Sequence, residues 1–346
     1  MTGPSATTPD ATRMFREAAE APAVVDRLLK ANRPSVERLA ESLRQRPPRA
    51  VVTLGRGSSD HAATYAKYLI ETRLGVLTAS GAPSISSIYE ARQELGDVLF
   101  LAISQSGRSP DLLSAVEAAR AAGARVVALT NDAASPMADL AHVTVPLHAG
   151  PETSVAATKS YIATLAAIAQ LTAAWARDAE LTAALDRLPQ QLLQAWDMDW
   201  SPAKSVLTPV QNLYVLGRGP GFAAAQEAAL KLKETCGLHA EAFSAAEVLH
   251  GPMALVDGVF PVLIFAQKDL SEDGVVGLAR QLTARGAQVL LAGADEPRAL
   301  PFTPTHAALQ PIALIQSFYR LANDVALARG LDPDSPPHLR KVTETV

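Results

Sequence analysis

From residue 50 onward, short runs of β-branched and apolar residues alternate with longer, alanine-rich stretches of helical period. Residues 50–54, 98–103 and 125–129 read as strands, with helical runs between them, one ending near Thr72 and one starting at Pro110. After Pro202 the alternation resumes: a strand at 212–216, a helix to Glu234, a strand at 259–265, a helix through Arg285, a strand at 288–291 and a last helix over 312–329. Strands separated by helices predict an α/β protein with parallel sheets covered by helices on both faces. Ahead of this, residues 11–45 have a helical period, with Val24, Leu28, Leu39 and Leu43 as core positions, and end at Pro47-Pro48. Residues 154–177 read as one buried helix and 180–196 as a second. Residues 330–346, with three prolines, read as an extended tail.

The two halves look duplicated. Val52-Thr-Leu-Gly-Arg-Gly57 recurs as Tyr214-Val-Leu-Gly-Arg-Gly219, and in both copies a strand runs into Gly-x-Gly and an alanine-rich helix. The expected organisation is a helical segment over 1–48, one α/β domain over 49–198, a second over 199–330 and a tail over 331–346.

Composition narrows the function. The chain has 346 residues, 48% hydrophobic and 19% charged, which fits two globular domains. A formal net charge of −4 gives no electrostatic footprint for nucleic acid or an anionic membrane surface. The one cysteine, Cys236, excludes a disulfide framework and a thiolate metal site. The first ten residues lack the charged start and apolar core of a secretory signal, so a cytoplasmic protein is expected. No apolar run approaches the roughly 20 residues that span a bilayer.

Two regions carry candidate chemistry. The first is Ser104-Gln-Ser-Gly-Arg-Ser-Pro-Asp111, which follows the strand at 98–103 and leads into a helix. Free backbone N–H groups and the positive end of the helix dipole make such a turn an anion site. Serine hydroxyls and the Gln105 amide add donors, and the parallel-sheet rule puts ligands beyond the carboxyl ends of the strands. Ser58 and Ser59, after the first strand, extend the same pocket. The alternative for Ser109 is a simple N-cap. Asp60 stands where the dinucleotide fingerprint needs its last glycine, which argues against a nucleotide enzyme. In the second half the corresponding loop, Ala266-Gln-Lys-Asp-Leu-Ser-Glu, has lost the serines and gained acids.

The second region is 230–252, with two lysines, three glutamates and two histidines among small apolar residues. Lys231, Lys233 and Glu234 fall at the end of a helix that Gly237 can stop. On these residues alone Glu234 has a plain alternative, an ion pair with Lys231 on its own helix, a contact of small value when exposed. His250 before Gly-Pro has one as a helix-end donor, and Lys341 as a solvated charge.

These motifs, together with Glu152-Thr-Ser-Val-Ala-Ala-Thr-Lys159, His239-Ala-Glu-Ala, Glu247-Val-Leu-His-Gly-Pro252 and Leu339-Arg-Lys-Val-Thr343, resemble the double sugar isomerase (SIS) domain family. The likeness is to the isomerase half of glucosamine-6-phosphate synthase and its deaminase-type relatives. It implies two flavodoxin-like, doubly wound domains. It also implies roles: Ser59, Ser104, Gln105, Ser106 and Ser109 on the sugar phosphate, and Glu234 as the base moving a proton between carbons 1 and 2. His250 would assist ring opening from a neighbouring subunit of a homodimer. Lys341 would meet the open-chain carbonyl, Lys231 would line the site, and Val155 and Arg340 would touch sugar hydroxyls. His239 and Glu241 would brace the site. No metal or organic cofactor is implied, because the sugar's own carbonyl and amine supply the electron sink.

The sequence departs from the synthase in having no cysteine at its start to release ammonia from glutamine, and in reading Gly107-Arg-Ser-Pro-Asp111 after the serine loop. The expectation is therefore conversion of glucosamine 6-phosphate to fructose 6-phosphate and ammonia. The alternatives are another amino sugar phosphate such as galactosamine 6-phosphate, a simple aldose–ketose isomerisation, synthesis from external ammonia, or a non-catalytic sugar-phosphate sensor. The sensor is disfavoured because no basic DNA-binding segment occurs in the first 50 residues.

Overall fold

The computed structural model describes residues 8–341, so Thr343 of the tail motif lies outside the described residues. Two helices open the chain, α1 (Arg13–Ala19) and α2 (Ala21–Gln45). The first alternating region is β1 (Ala50–Leu54), α3 (Ser58–Leu74), β2 (Thr78–Ser80), the single-turn α4 (Ser84–Ser87), β3 (Val98–Ser104), α5 (Pro110–Ala121), β4 (Arg125–Thr130), α6 (Pro136–Leu140) and β5 (Val143–Pro146). Helices α7 (Lys159–Ala176) and α8 (Ala179–Trp196) follow. The second region runs α9 (Ser201–Leu207), β6 (Asn212–Gly217), α10 (Gly221–Cys236), β7 (His239–Ser244), β8 (Pro261–Phe265), α11 (Glu272–Ala284), β9 (Gln288–Ala292) and α12 (Gln310–Ala328).

Contacts group residues 23–150 and 160–189 into a five-stranded unit, and residues 8–22, 151–159 and 190–341 into a four-stranded unit. This grouping does not follow the expected linear boundaries. Helix α1 packs on α12, and the 151–159 segment joins the same unit.

All strand pairs are parallel, in the orders β2-β1-β3-β4-β5 and β7-β6-β8-β9. The shared order of the first four strands is that of doubly wound, flavodoxin-like sheets. In each, the chain leaves the first strand toward one edge and builds toward the other from the third. The crevice between those two strands is the topological switch point, where such folds take ligands.

The strands form because buried apolar residues run through them. Every residue of β3 and of β8 is buried. Val98, Phe100 and Val126 pack with Leu112 and Val116 of α5 in one unit; Leu216, Val262 and Ile264 pack with Val275 and Leu282 of α11 in the other. Each fully buried Leu, Phe or Val contributes roughly 1.5–3 kcal/mol. The duplicated glycines have the same task in both sheets. A Cβ on Gly55 would lie 2.7 Å from the Ser59 carbonyl carbon, and one on Gly217 would lie 2.7 Å from that of Gly221. Only glycine lets the following helix start this close to the strand end.

Two expectations change. The helix expected over 154–177 begins at Lys159, because side chains take the backbone donors ahead of it. Glu152 Oε1 accepts from Thr158 N at 3.0 Å, and the Glu17 carboxylate accepts from Thr153 N and Ser154 N. His239-Ala-Glu-Ala, which the pattern did not mark as a strand, opens edge strand β7, with His239 and Glu241 exposed and Ala240 buried.

Candidate active site

In the five-stranded unit the predicted serines sit at two helix starts that flank the switch point. Ser58 and Ser59 form the first turn of α3, after β1, and residues 104–109 join β3 to α5. The Ser104 hydroxyl accepts from Gly107 N at 3.1 Å, and that of Ser106 from Arg108 N at 3.4 Å, which curls the loop into a cup. Gly107 has φ +62°, and a Cβ there would lie 2.2 Å from Ser135 Oγ, so the loop's close seat needs glycine. Ser109 occupies the N-cap position of α5, but its side chain makes no cap hydrogen bond. The plain capping alternative is therefore not what its hydroxyl does. Gln105, Ser106 and Ser109 are partly exposed, whereas Ser104 is buried. Arg56 joins the two loops by donating from Nε and Nη2 to Asp111 Oδ2 at 2.9 and 2.7 Å, and Asp111 is fully buried. A cavity of about 570 Å³ opens at the other, amino-terminal end of this sheet beside Arg46, Asp97, Arg125 and His142; none of the candidate residues lines it.

In the equivalent crevice of the four-stranded unit a glutamine stands in place of the serines, and a cavity of about 360 Å³ remains beside Arg218, Ala245 and Ser271. The Gln267 side chain, 1% exposed, donates to Arg218 O at 2.7 Å and reaches Asp269 and Ser271. Its amide oxygen lies 2.3 Å from where a Cβ on Gly221 would be. The candidate base of this unit lies elsewhere.

Helix α10 carries the candidate residues near its C-terminal end, which Gly237 closes at φ +61°. Glu227, Lys231 and Glu234 are spaced four and three residues apart, so they share one face. Lys231 Nζ lies 3.4 Å from Glu227 Oε1 and 2.5 Å from Glu234 Oε2, and Tyr319 of α12 donates to Glu227 Oε1 at 3.1 Å. Lys231 and Glu227 are buried, while the Glu234 side chain is 21% exposed. Burial alone would lower the Lys231 pKa, but the two carboxylates outweigh it and hold it above the ordinary lysine value. Glu227 and Tyr319 were not singled out from the sequence; the i−4 spacing from Lys231 was the available signal for Glu227. The arrangement holds the partly exposed Glu234 carboxylate by one oxygen, Oε2, on a buried cation.

A second cluster of the same unit gathers the 151–159 segment and the tail. Lys341 Nζ donates to Ser154 O at 2.7 Å and to Glu152 Oε2 at 3.3 Å. Val155 beside it is partly exposed and Arg340 is exposed. Lys159 is buried and paired with Glu20 at 2.6 Å, which gives a partner to a lysine left without a role by sequence reasoning. The hydroxyls of Ser154 and Thr158 are buried with no partner among the described residues. His250 ends a short 3-10 turn and is exposed, and Leu249, Leu255 and Val259 around it are 51%, 63% and 74% exposed. Cys236 is buried, and its thiol is pushed up to about 11 by burial.

Parallel doubly wound units, with a serine-rich loop at one switch point and a lysine-held carboxylate on a helix of the other, place the chain in the class of flavodoxin-like α/β proteins. The SIS domain model matches residues 46–174 and 206–294, and the chain belongs to that family. It is 36% identical over 313 residues to the glutamine–fructose-6-phosphate aminotransferase (isomerizing) of Aeropyrum pernix, covering 84% of this chain and 50% of that protein. The chain thus spans about half the length of the curated relatives it matches. A crystal structure from Silicibacter pomeroyi, provisionally named a phosphosugar isomerase, is 47% identical with TM-score 0.90, covering 93% of this chain and all of that one. The C-terminal domain of glucosamine-fructose-6-phosphate aminotransferase from Francisella tularensis shares the fold, with TM-score 0.85 at 24% identity over 95% of this chain and all of that one. Among the described residues no helix is long and apolar enough to cross a membrane.

Proposed function

We propose that the protein is an amino-sugar-phosphate isomerase working in the ammonia-releasing direction on glucosamine 6-phosphate. The observation that carries this reading is the Glu227–Lys231–Glu234 array, which fixes one partly exposed carboxylate by a buried cation. Proton transfer between adjacent carbons needs a carboxylate held in place with one oxygen accessible. With Oε2 engaged by Lys231, Glu234 Oε1 is the oxygen that takes the proton from carbon 2 and returns it to carbon 1. The 104–109 loop and the first turn of α3, with Ser58, Ser59, Ser104, Gln105, Ser106 and Ser109, would take the phosphate by neutral donors and the helix dipole.

In this reading the sugar ring opens with help from His250. Glu234 then converts the open-chain amino aldose through an enolamine to the imine of fructose 6-phosphate. Water adds to the C=N bond, and ammonia leaves with the proton it needs. Lys341 steadies the carbonyl oxygen, and Val155 and Arg340 meet sugar hydroxyls. The exposed apolar residues around His250 favour its being covered by a second copy of the chain, as a histidine shared across a dimer requires.

An assay coupling fructose 6-phosphate and ammonia formation to glucosamine 6-phosphate tests the proposal. Both products should appear in equal amounts, and Glu234→Gln should lower kcat by about 10²–10⁴, the usual share of general acid–base catalysis. No product with this substrate, or an undiminished Glu234→Gln enzyme, would reject it.

A further inference from the structure

Helix α1 contributes no residue to the chemistry above, yet its one acid, Glu17, and Glu20 just past its end are both spent on the 152–159 segment. Glu17 is 7% exposed, and its carboxylate faces the backbone of residues 153 and 154. Oε1 accepts from Thr153 N at 2.5 Å and from Thr153 Oγ1 at 2.9 Å, and Oε2 accepts from Ser154 N at 3.1 Å. Just past the helix end, Glu20 pairs with Lys159. The helix therefore grips both ends of the segment.

The other end of α1 is gripped by the tail. Asp334 Oδ2 accepts from Arg13 N and Oδ1 from Met14 N, each at 2.7 Å, with Arg13 Nε 3.5 Å away. Seven residues further along the tail, Lys341 donates to the carbonyl of Ser154, the residue whose N–H Glu17 holds. These contacts close a ring: α1 to Ser154 through Glu17, Ser154 to Lys341, and the tail back to α1 through Asp334. Carboxylates on backbone N–H groups are charge-assisted and directional, so each junction fixes geometry as well as proximity.

We propose that α1 is a positioning element for the tail lysine, with Glu17 and Asp334 as its two positioning residues. Glu17 sets the carbonyl that receives the Lys341 ammonium, and Asp334 sets where the tail begins its approach. This rests on the reading that Lys341 meets the open-chain carbonyl. A group displaced by about 1 Å from its reacting partner costs on the order of a hundredfold in rate, so slack in the ring reaches turnover without touching substrate.

The test uses the full chain with Glu17→Gln, Asp334→Asn and Lys341→Ala. Glutamine keeps the shape of Glu17 but turns an NH2 toward backbone donors, which breaks the junction. The first readout is the rate of reductive methylation of Lys341, followed by peptide mass spectrometry without substrate; both variants should be modified faster than wild type. The second is kcat and KM for glucosamine 6-phosphate. Each variant should lose about tenfold to a hundredfold in kcat with KM little changed. Glu17→Gln combined with Lys341→Ala should be no slower than Lys341→Ala alone. An unchanged Lys341 methylation rate in both variants, or losses that simply multiply in the combined variant, would overturn the proposal. If Glu17→Gln does not fold, Asp334→Asn carries both readouts, since its side chain lies on the tail. Absence of turnover in wild type, or full activity of Lys341→Ala, would defeat the functional reading instead, while the methylation rates still decide whether the ring holds the lysine.

Discussion

At the residue scale, burial decides what Lys231 is. The sequence left two readings of Lys231 and Glu234, a solvated helix pair or part of a site, because i,i+3 spacing is the same in both. The structure has Lys231 at 1% side-chain exposure with Glu227 at 0%, so the pair is no surface contact of small value. Removing one member of a buried ion pair strands the other, and Lys231→Met should destabilise the fold by about 3–5 kcal/mol in chemical denaturation. The pH dependence follows from the raised Lys231 pKa. The stability it adds is fully present below the ordinary lysine value of about 10.4 and is lost as pH climbs through the raised folded value. The gap between wild type and Lys231→Met should shrink under strongly alkaline conditions, as wild type loses the Lys231 charge. A gap that closes below pH ~9 would contradict that sign.

At the element scale, the serine loop was legible because a run of buried apolar residues ends abruptly in Ser-Gln-Ser-Gly before a helix. Strands β2, β5 and β7 were not. The first two are three and four residues long, too short for a period to register, and β7 alternates polar and apolar residues because it lies at an edge with His239 and Glu241 facing out. The late start of α7 was equally hidden, since it depends on Glu17, more than a hundred residues away. The loop itself gives a sharp prediction. Gly107→Ala forces a left-handed alanine, costing about 1–2 kcal/mol before the contact with Ser135 is counted. Calorimetry should find fructose 6-phosphate binding weakened by about tenfold or more, the factor that 1.4 kcal/mol represents. Unchanged affinity would remove this loop from the phosphate site.

At the scale of the whole molecule, one strand order was used twice and then diverged. The first copy has serines at its switch-point crevice; the second has Gln267 there and carries the buried Glu227–Lys231–Glu234 array at the far end of α10. If His250 serves a neighbouring chain, mixing His250→Ala with Glu234→Gln protein should restore activity that neither has alone, and no recovery after subunit exchange would argue against a shared site. The sequence by itself determined the α/β class and the duplication, and it marked the serine loop and Glu234 as candidates, because those rest on periodicity and on residues adjacent in the chain. Only the tertiary structure decided which charges are buried and which segment holds which. Lys231 between two carboxylates, Arg56 on Asp111, and the ring from Glu17 through Ser154 and Lys341 to Asp334 all depend on burial and on long-range contact. A pattern of neighbours along a chain carries no record of either.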